Sequence, residues 1–368
     1  MIRRVYLDFL KDRWRSGKIP WLLSRGMQYA LIQASSLAGR PFCGPVLGTV
    51  VTNYRCNYRC VMCDLPGRDA ELRGQGRKEL DTAAMLRIVE EFSRIGASGI
   101  GFTGGEPLLR KDIFELLART KRMGMFSHLN TNGSLLDDGN VRSILAASVD
   151  SVNVSLDGGR AGTHDAIRGC AGAFDRAVAG IERMVQERKR QASSIRIKTV
   201  AVLQEANIDE VEDLISLARD LGVDCIEFIP RQPFRRADGG AQSVTAAFLA
   251  KAERAKERLL RWQEERLRLE NSPAHLRLFG RSFRGEPSPL RCYAGYNSLA
   301  VDCFGDVYPC VPWINWRRSV GKLPEGGLRE FWYSPEYRRK RADIGSCRNC
   351  YLNCQAELNL LFAPLGRA

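Results

Sequence analysis

The stretch Thr52-Asn53-Tyr54-Arg55-Cys56-Asn57-Tyr58-Arg59-Cys60-Val61-Met62-Cys63-Asp64 places three thiols within eight residues, directly after the short apolar run 48–53. Their spacing is Cys-x3-Cys-x2-Cys. A curled loop can turn three such thiolates onto one metal centre. Structural zinc sites and common iron–sulfur clusters take four protein ligands. Three thiolates on a four-iron cluster leave one iron open, and an open coordination position is where a metal acts on a substrate. Zinc would need a fourth ligand from elsewhere, and the histidines are His128, His164 and His275.

Downstream of this loop, short apolar runs alternate with longer amphipathic ones. Strands are expected at 48–53, 99–103, 126–131, 150–156, 195–202 and 224–229. Helices are expected near 81–95, 111–123, 137–147, 174–190, 207–221 and 245–270. Six such pairs predict an α/β fold with a parallel sheet and right-handed crossovers. An open six-stranded barrel and a doubly wound sheet both fit, and in either one ligands gather at the carboxyl ends of the strands.

The composition fits a globular chain. Of 368 residues, 44% are hydrophobic and 27% charged, which argues against disorder. No run of 18 apolar residues suggests a membrane-spanning helix. The opening Met1-Ile-Arg-Arg-Val-Tyr-Leu-Asp lacks a secretory pattern, so a cytoplasmic location is expected. With 56 Lys and Arg against 42 Asp and Glu, the net charge is +14. That excess favours anionic partners without choosing among them. The basic residues form no compact stripe with interleaved aromatics, so nucleic acid is not an expected partner. Residues 1–47 carry eight Lys or Arg and two Asp. Trp21, Leu22, Met27, Ala30, Leu31 and Ala34 recur there at helical spacing. The expectation is a helix packed on the next domain, with peripheral membrane contact through residues 1–47 as the sharper alternative.

Nine of the twelve cysteines fall into two groups, the second being Cys292, Cys303, Cys310, Cys347, Cys350 and Cys354. Cys43, Cys170 and Cys225 stand alone, Cys170 close enough to Arg168 to share its loop and the other two suited to apolar packing. Tight spacings without an export signal suggest metal or redox sites in a reducing compartment. The segment from about residue 280 shows little periodicity and many thiols, so metal is expected to stabilise it. Val301–Cys310 is expected to form a hairpin turning at Phe304-Gly305-Asp306. A Cys-x2-Cys pair with two other cysteines also suits zinc.

Four more motifs stand in order at strand ends: Thr103-Gly104-Gly105-Glu106-Pro107, Thr131-Asn132-Gly133, Ser155-Leu156-Asp157-Gly158 and His164-Asp165-Ala166-Ile167-Arg168-Gly169. With the thiol loop, this set resembles the radical S-adenosylmethionine (SAM) superfamily over roughly residues 48–230. Met62 departs from the aromatic residue usual before the third cysteine, but it is apolar and polarizable enough to lie against adenine. The resemblance implies a partial (β/α)6 parallel barrel with an N-terminal helical extension and a small Cys-rich C-terminal domain. It implies a [4Fe-4S] cluster on Cys56, Cys60 and Cys63 that binds SAM at its open iron. One-electron cleavage of SAM then yields methionine and a 5′-deoxyadenosyl radical, which takes a hydrogen atom from substrate. It further implies SAM contacts from Gly104, Gly105, Glu106, Pro107, Asn132, Ser155, Asp157 and Arg168. In this reading the glycines let backbone approach the ligand, Ser155 and Asp157 reach the ribose, and Arg168 pairs with the SAM carboxylate. His164 suits a structural or a functional role.

Cys292-x12-Gly305-x4-Cys310 resembles the opening of a SPASM or shorter twitch extension. That resemblance implies one auxiliary [4Fe-4S] cluster on Cys292, Cys310, Cys347 and Cys350, with Cys354 the rival for the last place and Cys303 the outsider. The expected divisions are 1–47, a core at 48–240, a helical linker at 241–280 and the auxiliary domain at 281–368. A flavodoxin or ferredoxin is the expected electron donor. Peptide, small-molecule and lipid substrates all fit, and no catalytic residue is assigned. A non-enzymatic iron–sulfur carrier or scaffold is the alternative, against which the SAM-pocket motifs speak.

Overall fold

The computed structural model describes residues 19–232, 244–264 and 269–362. Strands β1 (Leu47–Val51), β2 (Gly99–Thr103), β3 (Phe126–Thr131), β4 (Ser151–Ser155), β5 (Arg196–Leu203) and β6 (Cys225–Pro230) pair in parallel in sequence order. Alternation along them sorts the side chains. Val50, Ile100, Phe102, Leu129, Val152, Val154, Ile197, Ala201 and Phe228 form one core with the helices that wrap the sheet. Met85, Ile88, Val89 and Phe92 fill it from the helix Thr82–Arg94. Gly48 carries no Cβ because one would meet the Phe92 ring at 2.8 Å. The opposite face bears Thr49, His128, Asn130, Asn153, Lys198 and Glu227, a polar interior.

The six strands match the expected ones to within about two residues at each end, as boundary assignment allows. The sheet does not close into a ring. At its far edge, Asn271 bonds both the N–H and the C=O of Phe228, and Glu270 N donates to Ile226 O, so residues 269–271 cover β6. At the near edge, β7 (Ser298–Val301) pairs in parallel with β1. β8 (Asp306–Tyr308) and β9 (Gly321–Lys322) then follow antiparallel. The Cys-rich segment therefore continues the barrel sheet.

The segment from about residue 280 shows little periodicity in its sequence, yet it holds the helices Gly327–Tyr333, Pro335–Gly345 and Asn353–Phe362. Polar residues hide their periodicity: Arg341 is buried, with its guanidinium 4.1 Å from the Tyr337 ring centroid and 4.7 Å from that of Trp332. The N-terminal helix, Ile19–Ala38, buries Gln28, Ile32 and Ser35, whereas Met27 and Ala30 of the expected packing stripe are exposed.

Candidate functional site

All the motif loops leave the carboxyl ends of β1–β4, which brings them to one rim. Gly105 N donates to Asn53 O at 2.9 Å, and Glu106 N to Arg55 O at 2.8 Å. A Cβ on Gly104 would stand 2.2 Å from Asn53 O, and one on Gly105 would stand 1.9 Å from Arg55 O. What the two glycines admit is thus the backbone leading into the thiol loop. The Glu106 carboxylate is fully buried. It accepts from Leu108 N (3.1 Å), Thr131 Oγ1 (2.8 Å) and Asn132 N (2.7 Å), so it ties the second and third loops together. Pro107 starts the single turn Pro107–Leu109 that this cap closes.

The thiol loop is held from both sides. Asn132 Nδ2 reaches Asn57 Oδ1 at 2.9 Å and Cys56 Sγ at 3.8 Å. On the other side, Arg59 N donates to Arg168 O and Val61 N to Ile167 O. Gly169, at φ +62°, lets the Arg59 carbonyl approach to where a Cβ would stand at 2.3 Å. Arg168 Nη1 lies 3.8 Å from Cys60 Sγ, and Arg168 Nη2 lies 2.6 Å from the buried Asp157 carboxylate. Asp157 Oδ1 accepts from Val202 N. Asp157 lies beyond the last residue of β4 and is engaged by Arg168, while Ser155 remains half-buried on the inward face.

His164 takes the structural role. Its Nδ1 accepts from Asp157 N at 3.1 Å, and burial followed by the nearby Arg168 charge lowers its pKa to about 3. The ring is therefore neutral in the native state. Because an unfolded imidazole titrates near 6.5, the unfolded chain binds this proton more tightly between the two values. The His164 contribution to stability is complete above about pH 6.5 and is lost as pH falls toward 3. Urea midpoints at pH 7 and pH 5 are expected to differ less in His164→Asn than in the wild type.

Burial raises the thiols of Cys56, Cys60 and Cys63, and their mutual charge interactions add to it for Cys56 and Cys63. The Cys63 residue as a whole is exposed, yet the dense surroundings of its sulfur push the thiol up to about 12. Such thiols stay protonated until a metal displaces the proton. Arg168 stands beside them as a buried cation to offset thiolate charge. The donor set fits an anionic iron–sulfur cluster.

The second group also converges. Burial raises Cys310 well above its ordinary value, and the thiols of Cys292, Cys350 and Cys354 raise it further. Cys350 responds in the same way to burial, then to Cys354, Cys292 and Cys347. Cys303 stands apart, its thiol raised by burial and by Asp302 and Glu79. Cys225 lies against Glu270 (3.5 Å) and Cys170 against Arg176 (3.1 Å). Among the described residues, no three His, Cys, Asp or Glu side chains take up the spacing of a single metal ion.

The family model of the Radical SAM superfamily matches residues 50–218, and that of the iron-sulfur cluster-binding SPASM domain matches residues 292–351. The chain therefore carries a radical SAM domain followed by a SPASM domain. It is an enzyme with a SAM-associated [4Fe-4S] cluster and an auxiliary cluster. Among curated relatives, the AdoMet-dependent heme synthase of Methanosarcina barkeri is 29% identical over 320 residues, covering 80% of this chain and 85% of its own. That of Oleidesulfovibrio alaskensis is 25% identical, covering 85% and 81%. Streptococcus suis SuiB bound to S-adenosylmethionine superposes with a TM-score of 0.66 at 18% identity, over 95% of this chain and 84% of that one. At that identity the likeness is one of fold.

Sequence reasoning missed Asn57, Asn53 and Asn153. Asn53 Nδ2 donates to Glu106 O. Asn153 sits two residues before Ser155 on the same strand face, with its Nδ2 on Asn130 Oδ1 and its buried Oδ1 without a protein partner. The period-2 argument used for Ser155 would have found it.

Proposed function

We propose that this enzyme reductively cleaves SAM and uses the 5′-deoxyadenosyl radical to take a hydrogen atom from a substrate bound over the rim of β1–β6. The observation that carries this reading is the three-thiol loop, held by Asn132 on one side and by the Arg168 backbone and guanidinium on the other. Cys56, Cys60 and Cys63 would hold the cluster. When bound, that cluster supplies one electron to the SAM sulfonium, and the electron is drawn from a flavodoxin- or ferredoxin-type donor. Asn132 and Ser155 offer hydrogen bonds to SAM. Gly104, Gly105, Glu106, Pro107, Asp157 and Arg168 shape and hold the loops that face it. Cys292, Cys310, Cys347 and Cys350 would hold the auxiliary cluster, with Cys354 the rival for the place of Cys350. In this reading 48–240 serves as the core and 281–368 as the auxiliary part, the division suggested by the sequence.

The relatives named as heme synthases, matched over four-fifths of the chain, make a heme precursor the substrate class to test first. The anaerobically reconstituted protein, reduced with SAM present, is expected to release 5′-deoxyadenosine, and more of it with a heme precursor than with a peptide. Cys60→Ala should abolish the product. Product formation by that variant at the wild-type rate would refute the assignment.

A further inference from the structure

We infer that the outward face of the helix Ile19–Ala38 is a docking surface for an anionic phospholipid bilayer, independent of the substrate reading above. The helix is seated by a largely polar side. Gln28 Nε2 donates to the carbonyls of Gly44 (3.1 Å), Pro45 (3.2 Å) and Gly96 (3.0 Å), and Arg25 Nη1 donates to Ser98 Oγ (2.6 Å). Ile32 is fully buried between them. At about 100° per residue, the opposite side carries Leu23, Met27, Ala30, Ala34 and Leu37, spaced four, three, four and three apart. Leu23 is 69%, Met27 62% and Leu37 78% exposed. Of the nine large hydrophobic side chains exposed among the described residues, five lie between Leu23 and Phe42. Scattered exposure is ordinary, but a continuous stripe marks an interaction surface.

Charge selects the occupant. Between Asp12 and β1 the sequence contains no carboxylate, while Arg13, Arg15, Lys18 and Arg40 are basic. Past the end of the stripe, the Arg40 guanidinium sits 5.0 Å from the centre of the exposed Phe42 ring. An apolar stripe within an acid-free basic segment fits the headgroup boundary of an anionic leaflet. A second copy would bring two such segments together against like-charge repulsion. No described helix is long and apolar enough to cross a membrane, so the helix would lie on the surface. The residues it rests on precede β1 and β2, at the rim opposite the motif loops. Docking would therefore leave the thiol loop facing away from lipid.

The test is co-sedimentation of the full chain with vesicles of phosphatidylcholine alone and of phosphatidylcholine mixed with phosphatidylserine. Binding is expected only to the mixed vesicles and should weaken as salt rises. Leu23→Ser, Met27→Ser and Leu37→Ser combined should reduce it at least about tenfold while 5′-deoxyadenosine release stays at the wild-type level. No binding to the mixed vesicles, or equal binding by the triple variant, would overturn the inference. So would a dimer in solution that the triple variant loses, since the stripe would then belong to a second copy.

Discussion

Arg168→Leu is expected to lower the free energy of unfolding by about 3–5 kcal/mol and to prevent stable assembly of the first cluster. Asp157 is fully buried, and its carboxylate lies 2.6 Å from Arg168 Nη2. Removing the guanidinium strands that carboxylate in a low-dielectric site, with Val202 N as its remaining hydrogen-bond donor. The same guanidinium reaches Cys60 Sγ at 3.8 Å, so Cys60 loses the cation beside its sulfur as well. The double variant Asp157→Asn/Arg168→Leu separates these effects. It carries no buried anion, so it should regain stability relative to Arg168→Leu, yet it should still fail to hold iron. Arg168→Lys should fall between, because a point charge on a flexible stem cannot fork to both partners. Urea denaturation of the apo chain, with iron and acid-labile sulfide per chain after anaerobic reconstitution, gives both readings. An unchanged urea midpoint in Arg168→Leu would show that the pair does not hold the loop.

The contrast between Arg168 and the thiols explains what the sequence could disclose. Cys56, Cys60 and Cys63 announce their site because the signal is local, three like residues within one loop. The six strands were equally legible, since each is a short apolar run followed by an amphipathic helix. Asp157 was assigned to the ribose by extending the strand alternation two residues past Ser155, where β4 ends and the rule stops applying. Its pairing with Arg168 is a tertiary fact. The N-terminal helix shows a different limit: periodicity identifies an apolar face but not the direction in which it points. Gln28, with three carbonyl partners, outweighs Met27 in seating that helix. Likewise the sequence presents β7 as part of a separate module, because nothing local says that Leu47 will pair with Ser298.

Asp302→Ala is expected to cost on the order of 4 kcal/mol and to alter the first cluster, although Asp302 lies nowhere near it in sequence. The side chain is fully buried in the β7–β8 turn. Its Oδ1 accepts from Phe304 N and Asp306 N, each at 2.9 Å. This carboxylate closes the turn at residues 302–305, a residue or two earlier than the sequence suggests. Its Oδ2 accepts from Tyr54 Oη (2.7 Å) and Tyr308 Oη (3.2 Å). Truncation leaves four buried donors without this acceptor, each worth about 1–3 kcal/mol and not fully additive. Arg68 completes the network by donating to Tyr308 Oη and to Ile314 O, both at 2.6 Å, with its guanidinium 4.9 Å from the Tyr54 ring centroid. Tyr54 stands two residues before Cys56, and Arg68 five residues after Cys63. One carboxylate therefore fastens both flanks of the thiol loop to the hairpin that ends at Cys310. The expected order of destabilisation is Asp302→Ala, then Asp302→Asn, then Tyr54→Phe, because asparagine keeps an acceptor for the two backbone N–H groups and phenylalanine removes one bond. A network that only stabilised the fold would leave the surviving folded protein with a wild-type cluster. A network that positions the loop predicts, in folded Asp302→Asn, a changed EPR response of the reduced first cluster to SAM and a shifted midpoint potential. Wild-type values for both in that variant would reduce Asp302 to a structural role.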